Sequence, residues 1–482
     1  MPASRPRAFG PRPVAHAHSS ARREHALAND PGTTAEQARE VIDLAIQASE
    51  LLLASGASAA ATTAQATRLG RSFGVALGVD VTYTRIVVSA EVPGALPMTV
   101  MRLAPTGAQD YDRLARVESL VGSVDHDGLA VETVRARLHH ISAEPHGYQR
   151  WLSLLAAGLL GGGVALLLDG GWADIAACML ATLLVELVRR GLASRGMSNF
   201  FTQALSAVLP TGLGLGLLVL RPVLPDGLPL PSPSLAVAAG MVSLLAGIGV
   251  VGAASDAVDG YYLSAAARVL EVTVLTAAIV VGLMTTLSLG LLLGVSAQLS
   301  PTAGDEASVW LRLLAGGLVA GCFAVSCTLE PRSLPAAMLL GVMAQAAYLA
   351  VWHLLPSAPA ASGVAAIGVG LVARLVSHPI RTPLVALVTT SVAALMPGLL
   401  LYRGIFAVLF NSRAGQQESA SALLTDCALT AVLLAAGSSF GISLGGLLLR
   451  LARRSPSEAL APVAGPAERL DGPPTSRVFR PS

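Results

Sequence analysis

The sequence predicts an α-helical polytopic membrane protein with about ten transmembrane helices and an N-terminal soluble α/β domain. Of its 482 residues, 53% are hydrophobic and 13% are charged, whereas about a quarter of the residues in soluble domains are charged. The mean hydropathy is +0.64. From Trp151 onward the chain consists almost entirely of apolar runs, and a helix needs roughly 20 such residues to cross a bilayer.

The N-terminal part has a different composition. Residues 1–32 are rich in Arg, Pro, Ala and His and lack the apolar core of a secretory signal, which predicts a disordered cytoplasmic leader. Residues 33–148 predict a soluble cytoplasmic α/β domain. Two helices with apolar residues at helical spacing precede alternating, β-branched segments at 75–90 and 98–104, which predict a small sheet. Two further helices follow the sheet.

The apolar segments predict ten transmembrane spans, followed by a disordered cytoplasmic tail at residues 453–482. Clusters of small residues, such as GLLGGGVA at 158–165, let neighbouring helices approach closely in lipid, so we expect a packed bundle. The spans lie near residues 151–168, 172–190, 202–220, 234–252, 269–295, 309–329, 333–354, 361–376, 383–401 and 423–449.

The distribution of arginine predicts the orientation in the cell membrane. A cytoplasmic N-terminus places eleven arginines at cytoplasmic ends and loops and four on the opposite side, which agrees with the preference of cytoplasmic loops for basic residues. Both termini and the soluble domain are therefore expected in the cytoplasm. The four arginines on the opposite side are Arg221, Arg312, Arg403 and Arg413.

The sequence excludes several functional classes. The net charge of +2 is too small to indicate nucleic-acid binding. The four cysteines form no Cys-x-x-Cys motif and the sequence has no phosphate-binding loop, so we expect neither a metal nor a cofactor. A Gly-x-Ser-x-Gly pattern at 441–445 lies within a predicted transmembrane helix rather than on the strand–turn–helix elbow of a hydrolase. We therefore expect no enzymatic activity.

Residues 254–275 contain the strongest cluster of charge near the membrane. Asp256, Asp259, Arg268 and Glu271 occur within sixteen positions, and a charge at the centre of a transmembrane helix costs roughly 2.5–3.5 kcal/mol. Arg268 and Glu271 are three residues apart and can pair on one helix face. Two interpretations stay open: a cytoplasmic loop with a snorkelling arginine, or a substrate or proton site at the inner mouth of a pathway.

A second candidate site lies at the end of the ninth predicted span. Pro397-Gly398 would end or break the helix and leave carbonyl groups free for a polar ligand. Arg403 offers a planar fork that suits the carboxylate of an amino acid, and Tyr402 adds a hydroxyl. The alternative is an interfacial anchor formed by Tyr402 and Arg403.

Three other positions are weaker candidates. Asp426 lies near the start of the last span and is either a proton carrier or an interfacial charge. Glu186 precedes Arg189 and Arg190 by three and four residues, so it is expected to pair with them at the interface. Pro210 either kinks the third span or interrupts it, and interrupted helices expose backbone groups to substrates and ions.

The chain resembles the threonine/serine exporter (ThrE) family over roughly residues 36–450. The resemblance rests on the soluble domain, the ten spans and three motifs: LLLASGAS, DAVDGYYLSAAARVLE and MPGLLLYRG. It implies two modules, one with the soluble domain and the first five helices (149–300), and one with the second five helices (301–452). It also implies export of threonine and serine, driven by the proton motive force, so the expected partners are these amino acids, protons and the lipid bilayer.

The resemblance also implies positions for functional residues. Many relatives carry an Arg and a Glu shortly after the glycine that matches Gly56, but this chain has ASAAATTAQ there. A role of the soluble domain that depends on those two charges is therefore not expected in this chain. The charged positions ahead of the fifth span fall on Asp256, Arg268 and Glu271. The late Pro-Gly and Tyr-Arg-Gly positions fall on Pro397, Gly398, Tyr402, Arg403 and Gly404.

Two alternatives to amino-acid export stay open. Some relatives carry the two modules on separate chains, and they suggest a transporter of the same architecture for another small anion, such as a dicarboxylate. A membrane-anchored hydrolase is the other alternative, although an anchor needs only one span and ten are predicted. The oligomeric state also stays open, with a homo-oligomer among the options.

Overall fold

A computed structural model describes most of the chain. The leader, most of the tail and the candidate residues Pro397, Gly398, Tyr402 and Arg403 lie outside the described residues, and the predictions for them stay predictions. The described residues are 34–92, 95–103, 109–144, 148–220, 231–244, 247–293, 308–396, 400, 404 and 417–453.

The N-terminal region, defined as the described residues between 34 and 144, combines four helices with the predicted small sheet. Its three strands pair antiparallel in the order β1-β2-β3. Thr34 caps the first helix through a capping box with Gln37, and Ser58 caps the second, as is typical of helix starts. The elements are α1 (Ala35–Ala54), α2 (Ala59–Ser72), β1 (Leu77–Val81), β2 (Arg85–Ala90), β3 (Met98–Leu103), α3 (Tyr111–Asp127) and α4 (Val131–Ala143).

The rest of the described chain is helical. Seven of its helices (α5, α7, α10, α11, α12, α13 and α15) are long and apolar enough to cross a bilayer, so the protein is a multi-pass membrane protein. The helices are α5 (Arg150–Leu167), α6 (Trp172–Ala193), α7 (Asn199–Leu220), α8 (Pro233–Leu244), α9 (Gly247–Val258), α10 (Tyr262–Leu292), α11 (Val309–Ser326), α12 (Leu334–Leu354), α13 (Ala358–Ile380), α14 (Leu384–Ser391) and α15 (Gln417–Arg453).

The remaining three predicted spans differ from these seven helices. Helix α6 is 22 residues long but carries four charged side chains. The described parts of the predicted fourth span are α8 and α9, each 12 residues long, and the described part of the ninth consists of α14 and a short 3₁₀ turn at Ala393–Leu395. The count of ten spans therefore stays a prediction.

Glycine allows the helices to pack closely, as the small-residue clusters predict. A Cβ atom added at Gly163 on α5 would lie 2.7 Å from Val319 on α11, and one at Gly317 would lie 2.7 Å from Val342 on α12. Real Cβ atoms do not approach other atoms this closely, so larger residues at these positions would force the helices apart.

The N-terminal region docks on the end of α11. The backbone N–H of Tyr111 donates to the Cys327 carbonyl at 3.0 Å, and the Thr328 hydroxyl donates to the Asp110 carboxylate at 2.7 Å. Apolar residues of α3 continue the contact into one buried cluster with Leu329 and with residues of α12 and α14. We call the end of the bundle that carries residues 327–334 the docked end.

Candidate functional site

The turn between α9 and α10 brings Asp256 and Arg268 together. Gly260 has φ +87°, a left-handed conformation that glycine adopts without strain, and the Tyr261 N–H bonds back to the Asp256 carbonyl at 2.8 Å. The chain reverses there, so Arg268 lies beside α9. Its Nε donates to Asp256 Oδ2 at 2.7 Å, and its guanidinium packs against Gly252.

This ion pair is largely buried. The Asp256 side chain is 1% exposed and the Arg268 side chain is 22% exposed. The second Asp256 oxygen has no hydrogen-bond partner among the described residues, although the N–H of Ala59 at the start of α2 interacts with the carboxylate electrostatically. A carboxylate removed from water needs such cationic and dipolar partners to remain charged.

Tyr83 extends this cluster from the N-terminal region. It lies in a two-residue hairpin loop between β1 and β2, where Thr82 and Arg85 exchange backbone hydrogen bonds. The Tyr83 hydroxyl donates a hydrogen bond to Glu271 Oε2, and the Arg268 guanidinium carbon lies 5.2 Å from the centre of the Tyr83 ring, a distance typical of a cation–π contact.

Burial and the hydrogen bond to Glu271 raise the pKa of Tyr83 to about 12. The phenol therefore remains a proton donor throughout the physiological range. We name the set of Asp256, Arg268, Tyr83 and Glu271 the inner cluster. It holds two carboxylates, one guanidinium and one hydroxyl, which are the groups needed to bind a zwitterionic amino acid and to carry a proton.

The structure corrects the expected pairing of Arg268 with Glu271. Arg268 pairs with Asp256, and Glu271 accepts from Tyr83. The reason is burial: Asp256 would be an isolated charge without the guanidinium, whereas Glu271 has a hydroxyl donor available. Helix spacing could not reveal this partner because Tyr83 is 188 positions away from Glu271.

Asp426 belongs to helix α15. It is partly exposed in α15, and the buried Gly404 packs against Leu424 on the same helix, where an added Cβ would lie 2.7 Å from Leu424 Cδ2. The glycine of the Tyr-Arg-Gly motif is therefore next to the helix that carries Asp426.

The third predicted span is a continuous helix. Helix α7 runs through Pro210 without a break, so the proline does not interrupt it. Proline has no N–H to donate to the carbonyl of Ser206 four residues earlier, and the buried Ser206 hydroxyl has no hydrogen-bond partner in the described chain. The Gln203 amide donates to the carbonyl of Leu244 on α8.

The predicted pairing of Glu186 with Arg189 and Arg190 is confirmed, and its place at the membrane interface stays a prediction. Its carboxylate contacts Arg189 Nη2 at 2.8 Å and Arg190 Nε at 2.5 Å. The described residues contain no group of three side chains that could hold a metal ion.

Comparison with known proteins identifies the family. Residues 43–290 match a family model for threonine/serine exporters, and residues 313–448 match a second model described as "Threonine/Serine exporter, ThrE". No solved structure matches the chain.

The names of similar proteins agree with these matches. The "Probable threonine/serine exporter" of Mycobacterium tuberculosis is 31% identical, over 91% of this chain and 81% of the relative. The "Threonine/serine exporter" of Corynebacterium glutamicum is 29% identical, over 88% of this chain and 85% of the relative. The "Probable succinate transporter subunit YjjP" of Escherichia coli is 27% identical, over 53% of this chain and 96% of the relative. The chain therefore belongs to the threonine/serine exporter family.

Proposed function

We propose that the protein is a secondary transporter that exports threonine and serine from the cytoplasm across the cell membrane and is driven by the proton motive force. Family membership supports amino-acid export. The inner cluster supports the proposed coupling to protons. At one end of the bundle, the Arg268 guanidinium pairs with the buried Asp256 carboxylate and lies against Tyr83, whose hydroxyl donates to the Glu271 carboxylate.

The cluster suggests how substrate and proton are coupled. The carboxylate of an incoming amino acid competes with Asp256 for the planar guanidinium of Arg268. Once displaced, Asp256 is a buried carboxylate without its cation, and protonation removes the cost of that isolated charge. Substrate binding and proton uptake are then linked through Arg268, without any ATP site.

Glu271 has a separate role in this proposal. Its Oε2 accepts from Tyr83, so the N-terminal region covers this carboxylate while it is docked. Release of Tyr83 would expose Glu271 to the ammonium group of the substrate or to a proton. The N-terminal region, which we place in the cytoplasm, would then control access to the inner end of the pathway.

A dicarboxylate transporter is the second candidate. One relative is named as a succinate transporter subunit, and Arg268 would bind a substrate carboxylate in either case. The two substrates differ in the ammonium group, which needs a carboxylate partner such as Glu271 and which succinate lacks.

Efflux from cells tests the proposal. Cells that make the protein, and matched cells that do not, are preloaded with a threonine-containing dipeptide, which internal peptidases hydrolyse. Faster appearance of threonine outside in the cells with the protein, abolished by an uncoupler, is expected. Transport of preloaded succinate instead of threonine would support the second candidate. Equal threonine efflux from both cell lines would contradict the proposed function.

A further inference from the structure

The membrane helices form two units that repeat the same contacts. In the first unit (α5–α10), Gly162 packs against Met179 of the next helix; in the second unit (α11–α15), Gly321 packs against Met338. Each residue of the second contact lies 159 positions after its counterpart. The helix pairs α5–α6 and α11–α12 are therefore equivalent.

A second contact repeats between the third and last helices of each unit. An added Cβ at Gly282 on α10 would meet the carbonyl of Ala204 on α7, and one at Gly437 on α15 would meet the carbonyl of Gly363 on α13. The sequences after these glycines also match, with GLMTTLSLG at 282–290 and GSSFGISLG at 437–445. The two glycines lie 155 positions apart.

The two units run in opposite directions. The Tyr148 hydroxyl donates to the Leu329 carbonyl at 2.6 Å, so the start of α5 at Arg150 lies beside the end of α11. The equivalent helices α5 and α11 therefore begin at opposite ends of the bundle. Inverted repeats are a common architecture of secondary transporters, in which the two repeats exchange conformations to open each side in turn.

The repeat makes Glu271 and Asp426 equivalent. Each lies eleven residues before the glycine of its helix crossing, Gly282 or Gly437.

Helices α13 and α15 run parallel, since Gly437 and Gly441 face the carbonyls of Gly363 and Ile367 in turn. Helix α13 ends at the docked end, where Thr382 contacts Ser333. Asp426, near the start of α15, therefore lies toward the opposite end.

The two copies differ in one respect that suits an exporter. At the spacing of 155 residues, the position equivalent to Arg268 is Leu423. The second copy keeps the carboxylate but has no guanidinium at the equivalent position. Among the described residues, a substrate carboxylate therefore meets an arginine at the inner copy and a leucine at the equivalent position of the outer copy.

We propose that Asp426 is the outer counterpart of Glu271, a proton-binding carboxylate that faces the outside when the inner cluster is closed. A proton from the external solution binds the Asp426 carboxylate and neutralises its negative charge. The carboxylate becomes charged again when the proton leaves it toward the cytoplasm. The identity of the ion rests on the proposed function, whereas the inverted placement of the two carboxylates rests on the repeated contacts alone.

Cysteine labelling tests the placement. In full-length protein with the four native cysteines replaced, Asp426→Cys should react with an impermeant thiol reagent in intact cells. Glu271→Cys should react in inside-out vesicles and not in intact cells. Reaction of both from the same side, or no reaction of Asp426→Cys in intact cells, would overturn the proposal. This result does not depend on transport, so it stands apart from a failure of the proposed function.

Efflux tests the role of the carboxylate. Asp426→Asn should lower uncoupler-sensitive threonine efflux at least tenfold at normal surface expression, and Asp426→Glu should restore most of it. Ser443→Ala is the matched control and should leave efflux unchanged. It removes an exposed hydroxyl that donates to the carbonyl of Ser439 on the same helix. Wild-type efflux from Asp426→Asn would overturn the proposal.

Discussion

The phenolic hydroxyl of Tyr83 donates a hydrogen bond to the carboxylate of Glu271, and the Tyr83 ring lies beneath Arg268. Tyr83 belongs to a hairpin of the N-terminal region, and Glu271 belongs to the long helix α10. Tyr83 is therefore one of the contacts that join the N-terminal region to the charged end of the first membrane unit. The second membrane unit is held separately, through Asp110 and Tyr111.

Loss of the Tyr83 hydroxyl should loosen this hairpin. Tyr83→Phe keeps the ring but removes a hydrogen bond to a charged acceptor, which is worth about 1.5–3 kcal/mol. We expect amide hydrogen exchange at residues 82–85 to become roughly tenfold faster or more. Tyr148→Phe, which removes the hydroxyl contact to Leu329, is the matched control and should leave exchange at 82–85 unchanged. Unchanged exchange in Tyr83→Phe would show that the hydroxyl contact does not hold the hairpin.

Arg268→Met should destabilise the protein strongly. It leaves Asp256, which is 1% exposed, without its cation, and breaking a buried ion pair costs on the order of 3–5 kcal/mol. The double variant Asp256→Asn/Arg268→Met leaves no unpaired charge and should recover most of the loss. Thermal unfolding in detergent, followed by size-exclusion chromatography, measures both effects.

Arg189→Met is the matched control for this pair, because the Arg189 side chain is half exposed in its contact with Glu186. Exposed ion pairs contribute about 0–1 kcal/mol, so its midpoint should shift little. A double variant as unstable as Arg268→Met would contradict the account of Asp256 and Arg268 as a mutually compensating pair.

Glu118 should make stability depend on pH. Burial raises the pKa of this carboxyl in α3 from 4.5 to about 7. Below pH 4.5 the group is protonated in both the folded and unfolded protein and costs nothing. Between pH 4.5 and 7, the carboxyl loses its proton in the unfolded protein but keeps it in the folded protein. The free energy of unfolding therefore falls as the pH rises through this range.

Glu118→Gln removes this dependence. The variant should be more stable than wild type at pH 8, by on the order of 1–3 kcal/mol, and similar to wild type near pH 4.5. Glu132→Gln, an exposed carboxyl in α4, is the matched control and should have no such effect. Thermal midpoints of the full-length protein across this range provide the measurement. Equal midpoints for Glu118→Gln and wild type at pH 8 would rule out a partly buried carboxyl that holds its proton near neutral pH.

The topology should follow the arginine distribution. In a cysteine-free background, Thr133→Cys and Ser457→Cys should resist an impermeant thiol reagent in intact cells, because the N-terminal region and the tail are expected in the cytoplasm. Ala303→Cys, at a position between the two membrane units in the sequence, should react. Labelling of the first two sites would reverse the assigned orientation.

The sequence predicted those features that depend on local patterns. Apolar runs predict the membrane helices, glycine clusters predict close packing, and the spacing of Glu186 from Arg189 and Arg190 predicts their ion pairs. The same local rule gave the wrong partner for Arg268. Its true partner, Asp256, depends on the turn at Gly260, and the partner of Glu271 lies in another part of the chain. Contacts of this kind depend on tertiary packing, which spacing along one helix does not contain.

Reconstitution tests the central claim most directly. Purified protein in liposomes loaded with labelled threonine is given a pH gradient, acidic outside, and efflux is compared for wild type, Glu271→Gln and the control Ser443→Ala. We predict that the gradient accelerates threonine efflux in wild type and Ser443→Ala but not in Glu271→Gln at equal reconstitution. Threonine efflux that ignores the pH gradient in wild type, or a Glu271→Gln protein that responds to it fully, would contradict proton-coupled export through the inner cluster.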